Sequence, residues 1–558
     1  MPALCIREPE RMKVSLIFLL TIFRSLVIPV QFQDREFSYG EQDMQSILSK
    51  AEDYLNTQFR DTRTFSFDLA PTVILPQQVS YYGMNGEREH DLLIHEAVLS
   101  ACKASGGIDF SVYDNDGDGT VDGLILLTAG TSESDGAGED EIWPACYTLS
   151  SRTIPIIMSG KWINPFIVFT EIKSINGLEP RLNGPGDLCH EMCHIFNLPD
   201  FYDTDGLASG GISSALWQTT SLMDEGNRND FGNTPPGFNS IEMELLGLGE
   251  CIPMAPGGYT LQPLDKEGRY LRAEGRTEGE YFLVECRDNK GWDEFIGGAG
   301  LLAYYIDKRE PESIAKWNDN KINCNPNNQC ARIIEASSEA RSAKDVFFTG
   351  KGRKVLSLGD YGINLALTDI TRNNDGSVSF NVTEPMSVKE TVTFQDAAVI
   401  SWELDPGIGL ISKNIVTWHT GNDEEQSIDT GSRCSVLIED LAPQTEYGIR
   451  IESITPEGES FIILSTFTTK NRVPGIPPYI IFNGVGKNED GSIARGSRIP
   501  LRISNVTDYE AIEWFLDGRR ISVDASGYYT IQQSGTLKAK VKYSDGSTDI
   551  LIKEMTVR

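Results

Sequence analysis

The chain has 558 residues, of which 40% are hydrophobic and 23% are charged, a composition typical of a folded globular protein with room for several domains. Its 81 acidic residues outnumber its 49 basic ones, and the formal charge of -32 would repel phosphate backbones, so nucleic-acid binding is not expected. Ten cysteines are too few for a fold built on disulfides.

The N-terminal segment, residues 1–25, predicts export. An apolar run from Val14 to Phe23 follows basic residues, as in a secretory signal. The run is about half as long as a membrane span and is followed by Arg24, so we do not expect an integral membrane protein. The segment is therefore interpreted as signal-like, in a protein that is secreted or located at the cell surface.

Residues 26–255 combine strand-like runs with helical periodicity. Leu26–Phe32 and Gly123–Thr128 have the apolar character of buried strands. Apolar residues recur at helical spacing in Met44–Tyr54 and Asp91–Lys103. This pattern predicts a mixed domain of helices and strands.

The rest of the chain is predicted to be rich in β-structure. Strand-like stretches such as Tyr281–Cys286 dominate residues 256–383, which we interpret as the second half of the first module. Residues 384–470 and 474–558 each have the size and the alternating short strands of a β-sandwich. The expected fold is thus an α+β domain with a β-rich second half, followed by two all-β sandwich domains.

The two sandwiches resemble known modules. Leu441–Tyr447 is similar to the tyrosine-corner segment of a fibronectin type III domain, and Trp514 lies in an alternating strand like that of an immunoglobulin-like domain. Such modules are most simply spacers or attachment domains, and neither resemblance predicts a ligand; attachment to a surface glycan or protein is the option left open for them.

The most informative motif is His-Glu-x-x-His at residues 190–194. With about 3.6 residues per turn, His190 and His194 lie on one helix face, so their imidazoles can converge on a single metal ion. Glu191 would lie beside that ion without binding it, where it can take a proton from zinc-bound water. The motif predicts a zinc hydrolase with Glu191 as its catalytic residue.

A third metal ligand must be a carboxylate, because the next histidine after His194 is His419, in the first sandwich. Asp200 lies six residues after His194, where metzincins place their third ligand. Asn197 stands where the intervening turn usually has glycine, and asparagine tolerates the left-handed conformation required there. Three other carboxylates remain open as the third ligand. Glu242 or Glu244 would give a thermolysin-like arrangement, and Asp203 is another candidate.

The run Ser221–Asp224 favours the first arrangement, since it resembles the methionine turn beneath the zinc of metzincins. Together with His-Glu-x-x-His and the run Leu198–Asp203, it closely resembles the immune-inhibitor-A-like family of secreted bacterial zinc peptidases. The resemblance covers roughly residues 26 to 382. It implies a metzincin-like fold and endopeptidase activity on extracellular proteins. It also implies roles for individual residues: zinc ligation by His190, His194 and Asp200, general base for Glu191 and structural support by Met223.

An acidic loop at residues 114–122 has carboxylates at alternate positions around a glycine, as at the start of an EF-hand loop. Ile125 replaces the glutamate of the twelfth position, so the loop is not an EF-hand. We expect it to bind calcium; a solvated turn is the alternative. The calcium ligands would be Asp114, Asp116, Asp118 and Asp122.

Two further expectations follow from the residues. Cys324 and Cys330 are the best candidates for a disulfide, because Cys189 and Cys193 cannot readily bridge along one helix. The alternative function is a surface adhesion or binding protein whose peptidase-like domain is a weakly active or inactive scaffold. The intact Glu191 favours the enzyme, since a scaffold has no chemical need for the base.

Overall fold

A computed structural model of the chain describes residues 21–83, 89–149, 155–175, 178–337, 340, 342–351, 355–421, 425–456, 458–470, 477–481, 492–506, 509–524 and 528–558. The chain divides into two compact units. The first contains residues 1–254, 259–354 and 370–379, and the second contains residues 255–258, 355–369 and 380–558.

The first unit is built around a largely parallel sheet. Strands up to residue 182 are β1 (Thr21–Gln31), β2 (Arg63–Leu69), β3 (Val73–Ile74), β4 (Thr120–Val121), β5 (Leu124–Thr131), β6 (Ala145–Tyr147), β7 (Ile157–Met158), β8 (Lys161–Ile163), β9 (Phe166–Lys173) and β10 (Arg181–Leu182). β9, β5, β1 and β2 are parallel neighbours in that order, β3 continues beside β1, and β6 and β10 pair with β9 in the antiparallel sense. β4, β8 and β7 form a separate small sheet.

Helices cover both faces of the main sheet. The helices of the described residues are α1 (Glu41–Phe59), α2 (Val79–Gly83), α3 (Glu89–Ala104), α4 (Gly186–Ile195), α5 (Ser240–Leu246), α6 (Leu264–Glu267) and α7 (Glu312–Asn318). Alternate residues of β1 face opposite ways: Phe23 and Val27 belong to the apolar cluster that includes α1 and α4, and Leu26 and Ile28 to the cluster that includes α3. This two-sided burial explains the continuous apolar runs in the sequence.

β1 begins earlier than the sequence predicts. Residues 21–25, assigned to the signal-like segment, form its first five residues, and Thr21 is already in register with Arg63 of β2. Phe23 is 7% exposed within the apolar core. β-Branched and aromatic residues suit a signal core and a buried strand equally, so composition does not distinguish them. The boundary at residue 25 therefore falls inside a strand, and residues 1–20 of the signal-like segment lie outside the described residues.

A second sheet completes the first unit. The strands from residue 250 to 383 are β11 (Glu250–Pro253), β12 (Gly257–Leu261), β13 (Arg269–Glu274), β14 (Glu280–Asp288), β15 (Ala299–Asp307), β16 (Ala331–Ile333), β17 (Leu356–Ser357), β18 (Ala366–Arg372) and β19 (Val378–Thr383). Of these, β17 and parts of β12, β18 and β19 are assigned to the second unit. β11, β13, β14, β15 and β16 are neighbours in that order, with β14 buried along its whole length. Its side chains Leu283 and Tyr281 lie in the same apolar cluster as α4.

The second unit consists largely of antiparallel strands. They are β20 (Met386–Thr393), β21 (Ala398–Leu404), β22 (Lys413–His419), β23 (Gln426–Gly431), β24 (Ser435–Ile438), β25 (Glu446–Ile454), β26 (Ser460–Thr468), β27 (Tyr479–Ile481), β28 (Arg498–Pro500), β29 (Arg502–Ser504), β30 (Tyr509–Leu516), β31 (Arg519–Ile521), β32 (Tyr528–Thr530), β33 (Gly535–Tyr543) and β34 (Thr548–Met555). The sheets β20-β21-β24 and β23-β22-β25-β26 contribute to one apolar cluster, and β31-β30-β33-β34 contributes to another.

The structure also bears on the cysteines and on membrane insertion. Cys324 and Cys330 are free thiols, as is every cysteine among the described residues, so the expected disulfide is absent. The sulfur of Cys324 lies 3.2 Å from the hydroxyl of Thr204 instead.

Within the described part of the chain, no helix has both the length and the apolar character needed to cross a membrane.

Candidate metal centre

The N-terminus of α4 is held rigidly, and this sets the position of the histidine motif. Gly186 lies so close to the next segment that a Cβ would be 2.0 Å from the carbonyl oxygen of Asn227. Asp187 in the first turn forms a buried ion pair with Lys173 of β9, with its oxygens 3.0 and 2.9 Å from Nζ. Asn183 also donates a 3.0 Å hydrogen bond to this carboxylate. These contacts fix α4 against the main sheet.

The three predicted zinc ligands, His190, His194 and Asp200, lie together. One ligand atom of each lies within 4.8 Å of the others. Asp200 Oδ1 is 3.0 Å from His190 Nε2 and 3.4 Å from His194 Nε2. The fold thus brings together side chains that the sequence places on a helix and on the loop after it.

Backbone carbonyls orient both imidazoles towards this centre. His190 Nδ1 is 2.8 Å from the carbonyl oxygen of Leu222, and His194 Nδ1 is 2.7 Å from that of Leu198. A carbonyl oxygen can only accept, so each Nδ1 carries the proton and donates it. Each Nε2 is therefore the atom directed at Asp200, which is the arrangement of histidines that ligate a metal.

Burial and neighbouring charges have opposite effects on the pKa values of the residues in this centre. Burial disfavours charge on His190, but the Asp200 and Glu191 carboxylates and the Leu222 carbonyl together outweigh burial and raise the histidine pKa to about 9. Burial alone would raise the pKa of Asp200, yet the two imidazoles hold it well below its usual range. Metal binding at these nitrogen atoms would therefore compete with protonation of the imidazoles.

Glu191 lies beside the centre. The residue is 8% exposed, and its Oε2 is 3.9 Å from His194 Nε2. Burial raises its pKa, and the two histidines oppose that shift. It shares a cleft of about 210 Å³ with His190, and the rim of this cleft includes Trp143, Tyr202 and Arg228.

The loop between His194 and Asp200 folds as the sequence predicts. Asn197 adopts a left-handed conformation with φ of 63°. The chain then returns to the methionine turn, where the Phe201 amide donates a 2.8 Å hydrogen bond to the carbonyl oxygen of Met223. Met223 itself is fully buried in the apolar core.

The other carboxylates considered as ligands lie elsewhere. Glu242 accepts hydrogen bonds from the Ser221 hydroxyl at 2.6 Å and from the Met223 amide at 3.0 Å, so it supports the methionine turn. Glu244 pairs with Arg272. Asp203 accepts backbone N–H groups of its own loop. None of the three joins the group formed by the two histidines and Asp200.

Sequence reasoning missed Asn320. Its side chain accepts a 2.8 Å hydrogen bond from the Asp200 amide and donates a 2.7 Å hydrogen bond to Asp200 Oδ2. The two residues are 120 positions apart, and no motif surrounds Asn320. Only the fold could have revealed this contact.

The acidic loop is partly assembled. Oxygen atoms of Asp114, Asp116 and Asp122 lie within 4.8 Å of one another. Asp118 is not in this group, and its Oδ1 accepts a hydrogen bond from the Thr120 amide at 2.7 Å. Lys161 Nζ lies 2.5 Å from Asp114 Oδ2, so a cation already neutralises part of the cluster.

The solved structures that resemble parts of this chain include two small domains. A computationally redesigned β-sandwich protein is 31% identical and covers 15% of this chain and 92% of its own, with a TM-score of 0.14. The fn3 domain of the human collagen α-1(XX) chain is 20% identical and covers 16% of this chain and 83% of its own, also with a TM-score of 0.14. Scores this low assign no fold to any segment.

The histidine motif, the methionine turn and the main sheet lie in a region that matches a known family. Residues 28–246 match the model of the immune inhibitor A peptidase M6 catalytic domain. A curated relative, immune inhibitor A of Bacillus thuringiensis subsp. alesti, is 24% identical over 261 residues, and the match covers 39% of this chain and 36% of the relative. The chain thus spans little more than a third of that relative. It contains, at residues 28–246, a domain like the immune inhibitor A peptidase M6 catalytic domain.

Proposed function

We propose that this protein is a secreted, zinc-dependent metalloendopeptidase that hydrolyses peptide bonds of extracellular proteins. The observation that carries the proposal is the convergence of His190, His194 and Asp200 within 4.8 Å, with the Glu191 carboxylate beside them. The match to a peptidase M6 catalytic domain supports the same activity.

The residues present fit a zinc ion. Two imidazole nitrogens and one carboxylate oxygen are a ligand set that catalytic zinc uses, with one position left for water or substrate. The orientation of both Nε2 atoms by backbone carbonyls supports ligation by His190 and His194, with Asp200 as the third ligand. Zinc bound there would lower the pKa of water and polarise the scissile carbonyl.

Glu191 is the proposed general base. It accepts the proton of the attacking water and passes it to the nitrogen of the leaving amine. Its buried position raises its pKa above the usual value, which makes the carboxylate a stronger proton acceptor. The cleft residues Trp143, Tyr202 and Arg228 are placed to contact the peptide.

The acidic loop is proposed as a calcium site that stiffens the approach to β5. Asp114, Asp116 and Asp122 supply carboxylates close enough to share one ion. Asp118 would have to turn away from the Thr120 amide to join them, and Lys161 would have to give up its pairing with Asp114. Calcium binding to the folded loop alone would stabilise the protein by mass action.

Residues 384–470 and 474–558 are proposed as fibronectin type III-like and immunoglobulin-like sandwiches that attach the enzyme to a surface glycan or protein. The Tyr447 hydroxyl accepts a 2.9 Å hydrogen bond from the Ala442 amide, as in a tyrosine corner. Two sheets sharing one apolar cluster also support a sandwich for the first of these domains.

The test compares the full chain with Glu191→Gln, and with Glu179→Gln as a control that removes an exposed carboxylate. Casein hydrolysis and bound zinc are measured with and without a chelator. We expect chelator-sensitive hydrolysis that falls by about 100- to 10,000-fold in Glu191→Gln while zinc stays bound, with the control unchanged. Equal rates of casein hydrolysis in Glu191→Gln and Glu179→Gln would refute the role of Glu191. If the wild-type chain binds zinc but hydrolyses no protein, the adhesion scaffold is favoured. If the wild-type chain binds no zinc, the proposed zinc site is refuted.

A further inference from the structure

We infer that Asn320, which lies outside the matched catalytic domain, is a positioning residue that holds the carboxylate of Asp200 for metal binding. The inference rests on the proposed function, because it assigns Asp200 as a ligand. It extends the catalytic centre by a residue that no motif in the sequence indicates.

Asn320 holds Asp200 at two points. Its Oδ1 accepts a 2.8 Å hydrogen bond from the Asp200 amide, and its Nδ2 donates a 2.7 Å hydrogen bond to Asp200 Oδ2. The other carboxylate oxygen, Oδ1, faces the two histidines. Asn320 therefore occupies one oxygen of the carboxylate and leaves the other directed at the metal centre.

The backbone around Asn320 is well defined. α7 ends at Asn318, and Asn320 follows in a left-handed conformation with φ of 54°. The Lys321 amide donates a 2.8 Å hydrogen bond back to the carbonyl oxygen of Lys316, which closes the helix end. Asparagine is one of the few residues other than glycine that adopt this conformation readily. The helix end thus presents the amide side chain in a fixed direction.

Neighbouring contacts bind the same two loops together. The Thr204 hydroxyl donates a 2.8 Å hydrogen bond to the carbonyl oxygen of Asn320. Asn323, which is buried, donates a 2.9 Å hydrogen bond to the carbonyl oxygen of Phe201 and accepts one of 3.0 Å from the Ala331 amide. These bonds would hold the loop even without the Asn320 side chain. Of these contacts, the Asn320 amide is the one that acts on the ligand carboxylate itself, which the Tyr202 side chain also hydrogen-bonds.

The chemistry of such a contact is that of an outer-shell hydrogen bond. A donor on the second oxygen keeps the carboxylate from rotating, so less reorganisation is needed when the metal binds. Loss of such partners typically weakens metal affinity by about 10- to 100-fold. That is the effect expected on removal of the Asn320 amide.

Two substitutions separate this role from loop stability. Asn320→Gly removes the whole side chain at a left-handed position where glycine is unstrained. Asn320→Asp keeps an acceptor for the Asp200 amide but replaces the donor with a carboxylate that repels Asp200. Asn318→Asp, at an exposed position on the last turn of α7, controls for the added charge.

The full chain and these variants are stripped of metal, and three properties are measured: zinc affinity, the visible spectrum of the cobalt(II) form, and amide hydrogen exchange at Asp200 in the metal-free state. We expect the zinc Kd to rise about 10- to 100-fold in Asn320→Gly and Asn320→Asp, with an altered cobalt spectrum. Asn318→Asp should match the wild type. Faster exchange at Asp200 is expected in Asn320→Gly but not in Asn320→Asp.

Each other outcome overturns the inference. Wild-type zinc affinity and cobalt spectra in both Asn320 variants would do so while leaving the proposed function intact. Weakened zinc binding that merely follows a global loss of metal-free stability would assign Asn320 to the fold alone. A wild-type chain that binds no zinc would refute both the inference and the proposed function, so the two failures are distinguishable.

Discussion

The carboxyl of Asp224, at the end of the methionine turn, should make the stability of the protein depend on pH. It is 2% exposed and accepts a 2.9 Å hydrogen bond from the Gln218 amide. Burial, together with the neighbouring charge of Glu225, raises its pKa to about 7. We predict that Asp224→Asn, which keeps an acceptor but removes the charge, stabilises the protein at alkaline pH.

The direction in which stability changes with pH follows from proton binding. An Asp side chain in the unfolded chain has a pKa of about 3.9, so between about pH 4 and pH 7 the folded state binds more protons than the unfolded state. Stability from this group is full below that window and is lost as the pH rises through it. Once Asp224 is fully ionised, the pKa difference corresponds to about 4 kcal/mol of lost stability.

The assay is urea unfolding of the metal-free full chain and of Asp224→Asn at several pH values from 4 to 8. The free energy of unfolding of the variant should exceed that of the wild type by up to about 4 kcal/mol at pH 8, and the difference should vanish near pH 4. Asp230→Asn, which removes an exposed carboxylate, is the control for loss of a charge. A difference between Asp224→Asn and the wild type that does not change with pH would refute the reasoning.

Two other perturbations test the first unit. Arg287→Met should lower the free energy of unfolding by about 3–5 kcal/mol, because it leaves the carboxylates of Asp293 and Glu285 buried without their cation. Urea titration measures this, and a loss below about 1 kcal/mol would mean that the cluster is not energetically coupled. Calcium at 100 times its Kd should stabilise the wild type by about 2.7 kcal/mol but stabilise Asp116→Asn much less. Calorimetry that shows no effect of calcium on either protein would leave the acidic loop as a solvated turn.

Local patterns predicted the parts of the centre that are encoded locally. The spacing of His190 and His194 determines which helix face they share, and Asn197 suits the left-handed turn in which it is found. The apolar runs of β1 and β5 and the periodicity of α1 and α3 likewise predicted elements that the structure contains. In each case the signal and the structure lie within one turn or one strand.

The directions of individual side chains were beyond such patterns. Asp118 alternates with the other carboxylates of its loop, yet a local hydrogen bond to the Thr120 amide takes it out of their group. Cys324 and Cys330 are close in the chain but remain separate thiols. Spacing gives proximity along the chain, whereas the direction of a side chain depends on which of the competing hydrogen bonds it makes.

Contacts between distant segments also determine how much of the chain supports the methionine turn. The methionine turn is held by Glu242 of α5, and the start of α5 is held by β14, since Glu285 accepts the Ser240 amide at 2.5 Å. Arg287 of β14 donates a 2.9 Å hydrogen bond to the carbonyl oxygen of Gly237, just before the same helix. β14 lies beyond residue 246, where the family match ends. Residues 28–246 alone would therefore keep Glu242 on the methionine turn but leave the start of α5 without its contacts to β14. We therefore expect the β-rich half of the first unit to be needed for a stable arrangement of this turn.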